Sequence, residues 1–254
     1  MGKYDSSKYR ITPLLELISS SSQHFEKFTN ALGIHGLALP YCFYYGKNEK
    51  QLKPTKEHLS RLIDYIAAKD FNGFNISNPS RRQLCLGSPE EREKARIEAK
   101  RLLEQQYDIL LPSSRCWFIF EGFTNPDIYI EGNDYILLGE GKWTEPHITT
   151  ETANLRTKDG EYRSQMVRHI QAARNATSKK IFAFYIIEAD CSYIHDLTPS
   201  AFTKQLDLET IQLNKDNKQN IADSFIGYTT WQRMSELFPC IHFPSKAEID
   251  AENK

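Results

Sequence analysis

The sequence predicts a mixed α/β (α+β) fold: a helix, three short strands, a second helix and a longer strand, with mainly helical segments before and after. Three observations carry this prediction. Ser88-Pro89-Glu90-Glu91 opens a helix, with Ser88 as cap, Pro89 in the first turn and Glu91 completing a capping box. Two apolar strands, Asp127 to Ile130 and Tyr135 to Lys142, are joined by the turn-rich link Glu131-Gly132-Asn133-Asp134. Lys180 to Glu188 is a continuous apolar run, the pattern of a central strand buried on both faces in a sheet with parallel pairing.

In chain order, Thr12-Pro13 marks the first helix start. Leu37 to Gly46 is apolar and aromatic but broken by Pro40, and reads equally as strand or packed coil. Leu59, Leu62, Ile63 and Ile66 recur at helical spacing, so a helix is expected from Thr55. Ser77 to Arg82 reads as a loop with two adjacent arginines. The helix opened by Ser88 runs to about Gln106, with Ala95, Ala99, Leu102 and Leu103 on its apolar face. Trp117 to Phe120 is expected to be the first of the three strands. Gly160 to Ala176 reads as the second helix, with Met166, Val167, Ile170 and Ala173 at helical spacing. Beyond Asp190 a helix starts at Thr198-Pro199, an amphipathic helix is expected from Ile221 to Phe238, and Lys246 onward reads as a frayed tail. Residues 1–87 and 191–254 are thus helical elaborations on a core of residues 88–190, packed as one compact domain.

A chain of 254 residues can bury a substantial core as one domain. No stretch approaches the apolar length that spans a bilayer, and the N-terminus lacks a hydrophobic signal region, so a cytoplasmic protein with no membrane partner is expected. The five cysteines are odd in number, scattered and never in a C-x-x-C pair, which argues against a disulfide framework and a structural zinc site. A net charge of −1 gives no global polyanion-binding signature. The distribution is uneven: Thr150 to Lys180 holds seven basic residues against three acids, while Ile181 to the C-terminus holds six against eleven. Positive charge therefore follows the hairpin, where a phosphate backbone would need it; a solvated helix face is the competing reading.

Side chains on a strand alternate faces, so Glu140 and Lys142 point the same way. A hairpin brings Asp127, at the start of one strand, close to Glu140, near the end of the next. Two carboxylates and an ammonium then converge at one rim of a sheet, and a divalent cation is the usual partner of such a cluster. Pro126-Asp127, twelve intervening residues and Glu140-Gly141-Lys142 resemble the motif of the PD-(D/E)XK nuclease superfamily, and the element order matches its restriction-endonuclease-like αβββαβ core with a central mixed sheet flanked by helices. Phe120-Glu121-Gly122, Glu140 to Pro146 and Arg163 to Ile170 are similar to a poorly characterised bacterial branch of it, over roughly Pro89 to Glu188.

The resemblance implies a Mg²⁺- or Mn²⁺-dependent nuclease acting on nucleic acid, DNA first, in restriction, repair or defence, with a homodimer as a candidate assembly. It assigns Asp127, Glu140 and the main-chain carbonyl of Gly141 to the metal, and Lys142 to the attacking water or the developing charge on the phosphate. Gln165 matches the glutamine that many members place on the following helix; their tyrosine one turn later is His169 here, which shares the face and could reach a phosphate. Glu98, on the helix before the strands, and Glu121, at the end of the first expected strand, are candidate further acids. Arg163 and Arg168 are candidate phosphate contacts. Since Glu140 and Lys142 sit at a strand rim, alanine at either is expected to abolish cleavage with the fold left intact. A catalytically inactive nucleic-acid-binding module of the same fold, an RNA-directed nuclease and a surface salt-bridge cluster are the alternatives.

Overall fold

The computed structural model describes residues 5–71, 76–143, 158, 164–208 and 215–252. In chain order its elements are α1 (Thr12–Ser19), α2 (Ser22–Ala31), β1 (Cys42–Tyr45), α3 (Lys56–Ala68), α4 (Pro79–Leu86) and α5 (Pro89–Gln106). There follow β2 (Ile128–Glu131), β3 (Tyr135–Gly141), α6 (Gln165–Ala176), β4 (Lys180–Ile187), α7 (Pro199–Gln205), α8 (Lys215–Ser224), β5 (Phe225–Thr230), α9 (Trp231–Leu237) and α10 (Lys246–Glu252). The helix starts obey local chemistry. Ser88 and Glu91 form the expected reciprocal capping box, and Thr55, Asn78, Ser164, Thr198 and Thr230 each accept a hydrogen bond from a first-turn backbone N–H.

Among the described residues the strands form one mixed sheet in the order β1-β2-β3-β4-β5. The pairs β1/β2 and β2/β3 are antiparallel, and β3/β4 and β4/β5 are parallel. The link through α6 makes β3 and β4 a βαβ unit, and β3 is buried along its whole length, as a strand covered on both faces must be. Its two-residue period sorts its side chains: Tyr135 and Leu137 pack with the N-terminal helices and α9, while Ile136 and Leu138 pack with α6, α7 and α8. Glu140 and Lys142 continue the second set. A third cluster lies among α3, α4, α5 and residues 110–119. Among the described residues no helix is long and apolar enough to cross a membrane.

Four local expectations are corrected. Residues Trp117 to Phe120 form a turn, because the carbonyls a strand would pair are taken by Arg81: Nε reaches Trp117 O at 2.8 Å, and Nη2 reaches the carbonyls of Cys116 and Ile119. The edge strand comes instead from Cys42–Tyr45, the segment left open between strand and coil. Residues 77–82 are not all loop, since Asn78-Pro79 starts α4. Residues 221–238 are not one helix. Apolar positions 221, 225, 231, 234 and 238 mimic helical spacing, but Gly227 at φ +108° and the Thr229-Thr230 pair put β5 in the middle. The last segment is helix α10, held by the fully buried Ile249.

The N-terminal segment is fastened to the C-terminal end of β3. Ser6 Oγ donates to Gly141 O at 3.1 Å, and Arg10 Nη1 pairs with Glu188 at 2.6 Å while its guanidinium lies 4.2 Å from the Trp143 ring. Ile11 fills the space beside Gly141, where a Cβ would come within 2.6 Å of its Cδ1.

Candidate active site

The β2/β3 register pairs Ile128 with Gly139, so Asp127, one residue before β2, stands across from Glu140. The Gly141 N–H donates to Asp127 Oδ2 at 2.9 Å. Lys142 Nζ lies 3.2 Å from Glu140 Oε2 and donates to Gln165 Oε1 at 3.0 Å. Ser164 caps α6, so Gln165 opens its first turn and His169 follows one turn later on the same face. His169 Nε2 lies 2.6 Å from Glu140 Oε1, and its Nδ1 lies 2.6 Å from Thr124 Oγ1. Asp127, Glu140, Lys142, Gln165 and His169 thus meet on the α6 side of the sheet.

Burial and like charge set the electrostatics. Burial, then the charge of Glu140 and, more weakly, that of Glu49, hold the Asp127 carboxyl well above the usual carboxylate range, against Lys142 and the Gly141 N–H. Burial would also raise Glu140, but the Lys142 ammonium and His169 outweigh it and bring its carboxyl down to about 2. The two neighbouring carboxyls are therefore driven in opposite directions, because cations outweigh burial at Glu140 and only partly offset it at Asp127. Glu49 is a third acid at this place: burial, Glu140 and Asp5 push it up to about 7. No motif or spacing in the sequence marks Glu49 or Thr124. Glu49 ends a short 3₁₀ turn after β1, and Thr124 forms an isolated antiparallel bridge with Leu52, so only tertiary contact brings them in.

Several expected residues stand elsewhere. Glu98 pairs with Arg101 on the outer side of α5. Glu121 is buried, with His58 Nε2 at 3.0 Å and Arg168 Nε at 3.5 Å. Arg168 is therefore an internal cation and not an open phosphate contact; Arg163 lies outside the described residues. His169 is only 1% exposed and reaches Glu140, not solvent. Glu140 and Lys142, at 1% and 4% exposure, are buried rather than set on an open rim, because α6 covers the end of β3. The basic stretch does not form one patch among the described residues: Lys158 pairs with Asp70, and Lys179 is held by Glu131, Tyr41 and the Gly132 carbonyl. Trp143 packs against Arg10.

Among the described residues no group of three or more His, Cys, Asp or Glu is placed to hold a metal ion alone. Asp127 and Glu140 still fit a hard cation that keeps several waters, because such an ion takes one or two carboxylates and would offset the repulsion that raises Asp127. No family model matches this chain, and no curated protein or solved structure matches it.

Proposed function

We propose that this chain is a metal-dependent nuclease that hydrolyses phosphodiester bonds of nucleic acid, DNA first. The observation that carries the reading is the meeting of Asp127, Glu140, Lys142 and Gln165 beside the end of β3, with Lys142 bridging Glu140 and Gln165. Asp127, Glu140 and the Gly141 carbonyl would hold Mg²⁺ or Mn²⁺. When bound, such an ion polarises the phosphate and lowers the pKa of its water. Lys142, oriented by Gln165, offers its ammonium to charge developing on the phosphate. Glu49 adds a further carboxyl near enough to feel the charge of Glu140.

The test is cleavage of supercoiled plasmid, single-stranded DNA and RNA with Mg²⁺, Mn²⁺ or EDTA, beside Glu140→Gln and Lys142→Met. Cleavage that requires the metal and disappears in both variants supports the reading, and the substrate that is cut identifies the nucleic acid. A protein that takes up Mn²⁺ yet cuts none of the three substrates is not this nuclease, and one that takes up no metal favours the inactive binding module of the same fold.

A further inference from the structure

In the basic stretch that follows the hairpin, acids take up Lys158, Arg168 and Lys179. Arg174 differs: it is exposed in the last turn of α6 and, among the described residues, meets no acceptor. Beside it a polar cavity of about 80 Å³ opens between three helices. His58 and Arg61 line it from α3, Gln171, Arg174 and Asn175 from α6, and Asn217 from α8.

No carboxylate lines this cavity. Glu57, one turn before Arg61 on α3, reaches it only at 3.8 Å with both side chains largely exposed, and such pairs contribute little. Glu121 lies behind His58 and is engaged by His58 and Arg168. Guanidinium groups donate and never accept, and the three amides can donate as well. Two cations that share a small cavity repel each other unless an anion sits between them. The size sets the class of that anion. A water needs about 10–15 Å³, and drug-sized ligands need about 300–1,000 Å³. A cavity of about 80 Å³ therefore takes a single tetrahedral oxyanion and excludes a nucleoside.

We propose that this cavity seats a backbone phosphate of the nucleic acid, other than the one being cut, with Arg61 and Arg174 as the fork that grips it. Gln165 opens α6 beside Lys142, and Arg174 follows nine residues later (174 − 165 = 9). At about 1.5 Å per residue the two ends stand about 14 Å apart, the axial rise of about four nucleotides of duplex. A strand laid along α6 with one phosphate at Lys142 brings a later one to the cavity. Contacts of this kind fix register and carry no base information, so Arg61 and Arg174 are positioning residues. The source of the phosphate rests on the nuclease reading; the preference of the cavity for an oxyanion does not.

The test is fluorescence anisotropy of a labelled DNA duplex over a range of NaCl concentrations, in EDTA so that nothing is cut. Arg61→Ala/Arg174→Ala should bind about 10-fold more weakly at low salt, whatever the base sequence, and its plot of log affinity against log salt should be shallower by about 0.9, one phosphate contact. Asn175→Asp, which puts a carboxylate into the cavity and keeps both arginines, should weaken binding in the same direction. Arg82→Ala/Arg115→Ala removes two exposed arginines outside the cavity and should change binding little. Inorganic phosphate should shift the side-chain ¹⁵N signals of Arg61 and Arg174 in the full chain. An unchanged slope in the Arg61/Arg174 pair overturns the proposal, as does a control pair that loses as much affinity; if the wild type still cleaves, the nuclease reading survives either result. A wild type that binds no nucleic acid yet shows the phosphate shifts overturns both the backbone assignment and the nuclease reading, and makes the ligand a free oxyanion.

Discussion

Replacing Glu49 by glutamine should stabilise the metal-free protein above neutral pH and leave it unchanged in acid. Burial, Glu140 and Asp5 push this carboxyl from 4.5 to about 7, against a hydrogen bond with Ser7 that lowers it. The native state thus holds the Glu49 proton more tightly than the unfolded chain does. That contribution to stability is complete below 4.5 and is lost as pH rises through about 7. At about 1.4 kcal/mol per tenfold change in proton affinity, the displacement has an upper limit of about 3 kcal/mol. Glu49 is only half-buried, and solvent screening reduces this to about 1–2 kcal/mol. Glutamine keeps the size and hydrogen-bonding capacity of the side chain and carries no charge. Urea unfolding in EDTA at pH 4 and pH 8 measures the effect: the two proteins should match at pH 4, and Glu49→Gln should gain at pH 8, with a melting temperature higher by about 3–6 °C. A gain of equal size at both pH values, or none at pH 8, would show that Glu49 does not sit in the field of Glu140 and Asp5.

The remaining predictions test the frame around the site. Lys142→Met leaves the buried Glu140 without its ammonium and should cost about 3–5 kcal/mol in urea unfolding in EDTA; a cost under about 1 kcal/mol would mean that the pair is solvated. Arg81→Ala strips the donors from the carbonyls of Cys116, Trp117 and Ile119 and should cost about 2–3 kcal/mol, with faster hydrogen exchange confined to residues 110–120 and α4. Uniform acceleration across the sheet would contradict that local role. Gly141→Ala drives a Cβ to 2.6 Å from Ile11 Cδ1 and 3.1 Å from Trp231 Cζ2, so a loss of about 1–3 kcal/mol is expected. Limited proteolysis should then cut first within residues 5–11, and unchanged protection there would argue that the N-terminal segment is not seated on β3.

The elements that obey local rules are legible in the order of the amino acids. Ser88 and Glu91 cap their helix through bonds three residues apart, the two-residue period of β3 aims Glu140 and Lys142 the same way, and the unbroken apolar run of β4 requires cover on both faces. The hairpin register, which places Asp127 across from Glu140, was also legible, because the turn between the strands is short. Features that depend on contact between distant segments are not legible there. An apolar run at 117–120 and one at 42–45 look alike on paper, and Arg81 makes the first a turn while β2 makes the second a strand. Arg168 and His169 are neighbours on α6 that read alike as surface groups, yet Glu121 draws one inward and Glu140 the other. Glu49 and Thr124 carry no pattern that marks them. A side chain becomes part of a site through the field and hydrogen bonds of its neighbours in space, and those neighbours lie tens of residues away along the chain.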